Sequence, residues 1–214
     1  MYKGTNASDG IGIGTAVIVE EAELIITRRE VNDTEAEVQR FKGALETTIA
    51  ETQKMAEDLA ARVGEKEAEI MQGHMMLLSD PMLTGEIENS IQNDKVNSEF
   101  AIENVCNMYA DMFASMGDEL MQQRATDMRD IKVRMQRTLM GLQSVDVSAL
   151  PAGTILVAKD LTPSMTAGIN PANVTGIVTE LGGRTSHSAI LARALEIPAV
   201  VAVNGLLDEV KDGD

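Results

Sequence analysis

Between a run of β-branched residues and a helical pattern lies the stretch Glu180-Leu-Gly-Gly-Arg-Thr-Ser-His187-Ser-Ala-Ile190. Gly182 and Gly183 allow a sharp backbone turn, and Thr185 or Ser186 is suited to cap the helix that follows. His187 thus falls in the first helical turn, where unpaired N–H groups and the positive end of the helix dipole gather. A cation there is disfavoured by about 0.3–1 kcal/mol at an exposed site. The position favours a neutral imidazole with a free lone pair, and a group that becomes negative after that nitrogen attacks. Uptake of a phosphoryl group meets both conditions, because the nucleophile must be unprotonated and the product is an anion. Arg184, Thr185, Ser186 and Ser188, with the backbone at Gly183, stand where they could hold that anion. An incidental histidine beside a cap fits the same spacing, and the spacing alone does not choose between the two.

Other chemistry is sparse. No P-loop pattern occurs, and no histidine and carboxylate cluster with metal-ligand spacing lies near His187. The one cysteine, Cys106, excludes an internal disulfide framework and a cysteine-based zinc site, and reads as a small buried hydrophobe in a reducing, cytoplasmic compartment. His74, within Gly73-His-Met-Met-Leu-Leu78, reads as a packed core histidine.

The elements that must position His187 follow from periodicity. Residues 154–159, 174–179 and 199–203 read as strands. A short helix opened by Pro163 lies between the first two and a helix over 186–196 between the last two. This β-α-β-α-β order predicts parallel strands with right-handed crossovers. Near the start, 10–19 and 24–27 read as further strands that join the same sheet. From Asn32, with Glu35 in a capping-box relation, apolar residues recur at helical spacing through Val63, predicting a long helix that ends near Gly64. A second helix takes 65–79, Asp80-Pro81 breaks it, a short helix carries Ile87 and Ile91, and two more cover 97–116 and 118–141. Their expected apolar faces hold Ala101, Val105, Met108 and Met112, then Leu120, Met128, Ile131, Met135 and Leu139.

The predicted class is α/β plus all-α, with a discontinuous α/β domain at 1–30 and 145–214 and an inserted helical-hairpin bundle at 31–144. Composition agrees with the division. Of 14 Met, 12 fall in 31–144, and that block also carries a formal −10 of the chain's −16. Such acidity argues against a nucleic acid or an anionic membrane as partner and for a basic protein. No run approaches the length of a membrane-spanning helix.

Gly182-Gly-Arg-Thr-Ser-His-Ser-Ala-Ile-Leu-Ala-Arg-Ala-Leu-Glu-Ile-Pro-Ala-Val-Val201 resembles the phosphohistidine signature of the phosphoenolpyruvate-utilising enzymes. Asp160-Leu-Thr-Pro-Ser-Met-Thr166 resembles a second characteristic stretch of the same mobile domain. Gly73–Leu78 and Arg124-Ala-Thr-Asp-Met-Arg-Asp-Ile131, with the strand-rich start, resemble the Enzyme I branch of the bacterial phosphotransferase system, collinearly over essentially all 214 residues. The resemblance implies a swivelling carrier domain in which His187 is phosphorylated on Nε2 while the Thr166 hydroxyl orients the ring through Nδ1. It implies the small basic phosphocarrier HPr as partner, docked on the insertion through Glu65, Glu67, Met76, Leu77, Leu83, Glu86 and Arg124.

Five of these have a plainer role open to them. Glu65 and Glu67 also suit a solvated first turn, Met76 and Leu77 a bundle core, and Arg124 a pair with Asp127. Enzyme I proteins carry a C-terminal barrel that binds phosphoenolpyruvate and magnesium and forms a homodimer. Nothing in this sequence corresponds to it. The resemblance therefore implies a chain truncated at its C-terminus, monomeric, without a cofactor of its own, and competent only for exchange with HPr. A carrier domain of the pyruvate phosphate dikinase or phosphoenolpyruvate synthase type, and a non-enzymatic helical interaction module with His187 incidental, are the competing readings.

Overall fold

A computed structural model describes residues 3–214. The chain forms two compact units, one of 3–22, 58–68 and 145–214, the other of 23–57 and 69–144. Composition places the limits at 30/31 and 144/145, whereas 23–30 lie with the helical unit and 58–68 with the sheet unit.

The first unit is built on a five-stranded sheet, β1 (Thr5–Ser8), β2 (Thr15–Ile18), β3 (Thr154–Ala158), β4 (Val174–Thr179) and β5 (Ala199–Val201), in the order β1-β5-β4-β3-β2. β2, β3, β4 and β5 run parallel, and β1 pairs antiparallel with β5. Both outer strands thus come from the start of the chain. The alternation of β3 sends Leu156 and Ala158 to one face, with Ile177 and Val201, and Ile155 and Val157 to the other, with Val203 and Leu206. A central parallel strand covered on both faces reads as a continuous apolar run for this reason.

The expected strand over 10–19 shrinks to β2. Gly12 and Gly14 pass so close to backbone that a Cβ would lie 2.4 Å from the Thr175 carbonyl and 2.0 Å from the Gly153 carbonyl. Only the residues after Gly14 reach a ladder. The expected strand over 24–27 is absent, and the chain just after it is tied elsewhere than to the sheet. Asn97 donates its N–H to the Arg29 carbonyl at 3.1 Å, its side-chain oxygen accepts from Arg29 N–H at 2.8 Å, and Glu30 bridges Val96.

Five long helices follow, α1 (Thr34–Val63), α2 (Glu65–Leu78), α3 (Pro81–Asp94), α4 (Ser98–Ser115) and α5 (Glu119–Met140). The cap of α1 is Asp33, whose carboxylate accepts from Ala36 N–H at 2.9 Å, one residue past the expected Asn32. Asp80 caps α3 by accepting from Met82 N–H at 2.8 Å, with Pro81 at the first helical position. Gly141 ends α5 at φ 66°, and Leu142 N–H closes on the Arg137 carbonyl at 2.9 Å, a Schellman arrangement.

The core of this unit joins Phe41, Leu78, Leu83, Ile87, Ile91, Ile102, Met128, Ile131 and Met135. Ala101 and Val105 of α4 are buried as expected, but Met108, Met112 and Leu120 are exposed. The buried face of α4 runs instead through Ile102, Cys106 and Ala110, at helical spacing of four. A short 3₁₀ turn, Val147–Ala149, leads back into the sheet unit.

Candidate functional site

Two further helices carry the residues singled out in the sequence, α6 (Pro163–Gly168) after β3 and α7 (His187–Ala194) after β4. β3 and β4 are adjacent and parallel, so both helices begin at the same end of the sheet, beyond the strands' carboxyl ends. The ladder extends slightly past the strands, with Glu180 N–H donating to the Ala158 carbonyl at 3.1 Å and Leu181 N–H to the Lys159 carbonyl at 2.8 Å. Gly182 then turns the chain at φ +100°, a conformation that a side-chain-bearing residue rarely adopts.

Ser186 is the cap of α7. Its Oγ accepts from Ala189 N–H at 3.3 Å, donates to the Gly183 carbonyl at 2.8 Å, and lies 2.9 Å from Ser188 Oγ. His187 is therefore the first helical residue, and it is 9% exposed. Ser188 is buried beside it, whereas Arg184 and Thr185 are exposed. The Arg184 carbonyl accepts from the Arg193 guanidinium at 3.0 Å, which closes the loop onto the far end of α7.

α6 packs against α7, and Met165, Ile169, Ala189 and Ala192 share one core. Thr162 caps α6 by accepting from Met165 N–H at 3.3 Å, ahead of Pro163. Thr166 is fully buried, and its hydroxyl donates to the Thr162 carbonyl one turn back, at 2.8 Å. With that proton committed, the Thr166 oxygen has lone pairs to offer and no second proton. The end of α6 is held in turn by Arg62, whose guanidinium donates to the carbonyls of Ala167 and Ile169.

The residues expected to dock a partner divide between the units. Glu65 and Glu67 stand in the first turn of α2, within the sheet unit, and Glu65 is exposed. In the helical unit Met76 is 70% exposed, Glu86 is exposed, and Leu77 is half-buried against the core. Leu83 is 2% exposed and packs in the core, because α3 begins at Pro81 and so places 83, 87 and 91 on one inward face. Its neighbour Met82, 70% exposed, takes the outer position instead.

Sequence reading missed the exposed row formed by Met108 and Met112 on α4 and Met116 just after it, which recur every four residues. Residue type alone did not announce it, since Met71, Met128 and Met135 are buried while Met76, Met82 and these three are exposed. Arg124 lies 3.6 Å from Asp127, and the other oxygen of Asp127 is 3.2 Å from Nε2 of the fully buried His74. His74 is thus the packed core histidine that its setting predicts. Among the described residues, no group of three or more His, Cys, Asp or Glu side chains is arranged to hold a metal ion, and no helix is long and apolar enough to cross a membrane.

Two family matches cover the chain, PEP-utilising enzyme, N-terminal, over 3–124, and PEP-utilising enzyme, mobile domain, over 150–214. The chain belongs to the PEP-utilising enzymes. Within the family it is 44% identical to the phosphoenolpyruvate-protein phosphotransferase of Listeria monocytogenes over 212 residues, 99% of this chain and 37% of that protein. The enzyme of the same name from Bacillus subtilis is 41% identical over 211 residues, with the same shares. The chain thus spans a little over a third of the length of these relatives.

The solution structure of Enzyme I (nEIt) superposes on it with a TM-score of 0.84 at 40% identity, over all of this chain and 87% of that one. The N-terminal domain of Enzyme 1 - Nitrogen gives a TM-score of 0.64 at 27% identity, over 94% and 83%. The mixed fold expected from the sequence is therefore the fold of the Enzyme I N-terminal part, and the PEP-utilising mobile domain contains His187.

Proposed function

We propose that this chain is the phosphoryl-carrying and partner-docking part of a phosphoenolpyruvate-protein phosphotransferase, with His187 passing a phosphoryl group to the histidine of HPr. The observation that carries the reading is the place of His187, the first residue of a capped helix in the matched mobile domain, at the strand ends where α6 and α7 both begin.

The Thr166 oxygen, limited to accepting, suits a ring N–H at Nδ1. That tautomer leaves the lone pair on Nε2, the nitrogen that attacks. In the transfer a bond from the HPr nitrogen to phosphorus forms as the bond from Nε2 to phosphorus breaks, and Nε2 keeps the electron pair. The same step run backwards loads His187 from phospho-HPr. Charge developing on the phosphoryl oxygens meets the positive end of α7 and the Ser188 hydroxyl, with Arg184, Thr185 and the Gly183 backbone at the exposed rim. Little covalent work is left to the surroundings beyond holding the groups in line. Docking is assigned to the acidic helical unit, through Met76, Leu77, Met82, Glu86 and Arg124. Phosphoenolpyruvate, magnesium and dimer formation are assigned to the part of the relatives that this chain does not span.

The test is incubation of the chain with phospho-HPr and, separately, with phosphoenolpyruvate and magnesium. Acid-labile phosphate is expected from the first and none from the second. His187→Ala abolishes labelling. Labelling that survives this change, or no transfer from phospho-HPr to the wild-type chain, overturns the assignment.

A further inference from the structure

Arg124 is the one cation among the proposed docking residues, and the structure holds it in an unusual seat. Its side chain is 31% exposed, with Nη1 3.6 Å from Asp127 Oδ2. Asp127 is 5% exposed and cannot itself form much of a partner surface. Its other oxygen, Oδ1, accepts from Nε2 of His74, a ring that solvent does not reach, at 3.2 Å. The carboxylate is thus a bridge between one buried ring on α2 and one surface guanidinium on α5. On the opposite side of that ring, Nδ1 faces Asp130 Oδ2 at 3.9 Å.

A second observation concerns backbone. Gly73 sits mid-helix in α2, where glycine is the least favoured residue after proline. A Cβ at Gly73 would lie 2.6 Å from Arg124 Nη1 and 3.6 Å from Cζ. The guanidinium therefore lies against the bare face of the helix, in the space a methyl group would fill.

We propose that Gly73, His74 and Asp127 form a cradle that pre-positions Arg124, and that these three residues set the affinity for an acceptor group on the partner without touching it. The proposal rests on the docking role given to Arg124 above. A free arginine surrenders several rotamers when it docks, whereas one already held surrenders few. Only Nη1 is committed to Asp127, and a guanidinium has five N–H donors, so others remain for a partner's carbonyl or carboxylate. Losing the order of one long side chain corresponds to about a three- to tenfold loss in affinity. His74, Gly73 and Asp127 are positioning residues in this scheme, and Arg124 alone makes the contact.

The experiment titrates purified HPr into the 214-residue chain and its Asp127→Asn, Gly73→Ala and Arg124→Ala variants, and into each of the first two combined with Arg124→Ala. Asn keeps an acceptor for the His74 ring and removes the charge that faces Arg124. Ala raises helix propensity while occupying the seat, so weaker binding by Gly73→Ala cannot come from a melted helix. Each is expected to weaken HPr binding three- to tenfold in the wild-type background and to change nothing further once Arg124 is gone. Nitrogen-15 relaxation of the Arg124 Nε–H group, measured without HPr, is expected to show order in the wild type and mobility in both variants.

Equal losses with and without Arg124, or no loss at all, overturn the proposal. An Arg124 as mobile in the wild type as in Asp127→Asn overturns the cradle alone. A wild-type chain that takes no HPr overturns the docking reading and the partner half of this one, while the relaxation measurement still decides whether the cradle exists.

Discussion

In the proposed transfer, a single hydroxyl proton bears on how His187 would react. Thr166 donates it to the Thr162 carbonyl, and this leaves the oxygen as an acceptor for a ring N–H. Thr166→Val keeps the shape and loses the acceptor. Transfer from phospho-HPr is expected to slow about 10- to 100-fold, a scale set by misorientation of a reacting group, with Thr166→Ser restoring most of the rate. Rapid-quench kinetics would show it, and an unchanged rate in the valine variant would remove Thr166 from the site. Cys106 makes the contrasting case. Burial pushes its thiol up to about 12, so at pH 8 it is a protonated, inaccessible group. Native protein should resist iodoacetamide while urea-unfolded protein reacts fully. At this scale the place of His187 at a helix start was legible because glycines and a cap announce it. The burial of Leu83 was legible in the same way, since it belongs to the four-residue period of Ile87 and Ile91.

Among the elements, helix limits were the most legible and strand limits the least. Asp80-Pro81 and Gly141 end or begin helices by rules that act within one turn, and they do so here. A strand is defined by a partner distant in sequence. The segment 24–27 has a strand's composition, yet its neighbours are bonded to Asn97 and Val96 rather than to a sheet. β1, with Asn6 and Ser8, has little strand propensity and forms because β5 offers it an edge.

Helix interiors permit a direct test. A Cβ at Gly43 in α1 would meet nothing within 4 Å, so Gly43→Ala is expected to stabilise the chain by about 0.5–1 kcal/mol in urea titrations. A destabilised variant would mean that the helix face there is occupied. The join of α1, α4 and α5 depends on charge. Burial alone would raise the Glu99 carboxyl, but bonds from Arg40 and Asn97 overcome it and hold the group at about 2. Arg40 also reaches the Leu139 carbonyl at 3.0 Å. A carboxyl depressed on folding stabilises the native state above its unfolded pKa, and that stability is lost as pH falls through the folded value. Thermal melts should therefore fall between about pH 4.5 and 2 more steeply for the wild type than for Glu99→Gln, which should already lack about 1–3 kcal/mol at pH 7. Parallel curves would show that Glu99 is not the group that titrates.

For the molecule as a whole, the informative quantity is the −16 charge and its concentration in the helical block. An acidic surface steers a basic partner toward it, and ions screen the attraction. Association with HPr should slow by at least tenfold between 20 and 500 mM salt in stopped-flow measurements, with the dissociation rate nearly constant; a salt-independent rate would leave the acidity without a role in docking.

The sheet carries one more consequence, which concerns how the protein is made. Its two outer strands, β1 and β2, leave the ribosome before the other three, and the partner of β2 is made about 140 residues later, as the register Ile18↔Val157 shows. At translation speeds of about 5–20 residues per second, those strands wait on the order of ten seconds with unpaired edges. The helices made meanwhile have mostly local contacts and fold fast. Nascent chains should thus acquire a protease-resistant helical unit before any sheet exists, while β1 and β2 stay open to cleavage or to a chaperone until β3, β4 and β5 arrive to sit between them.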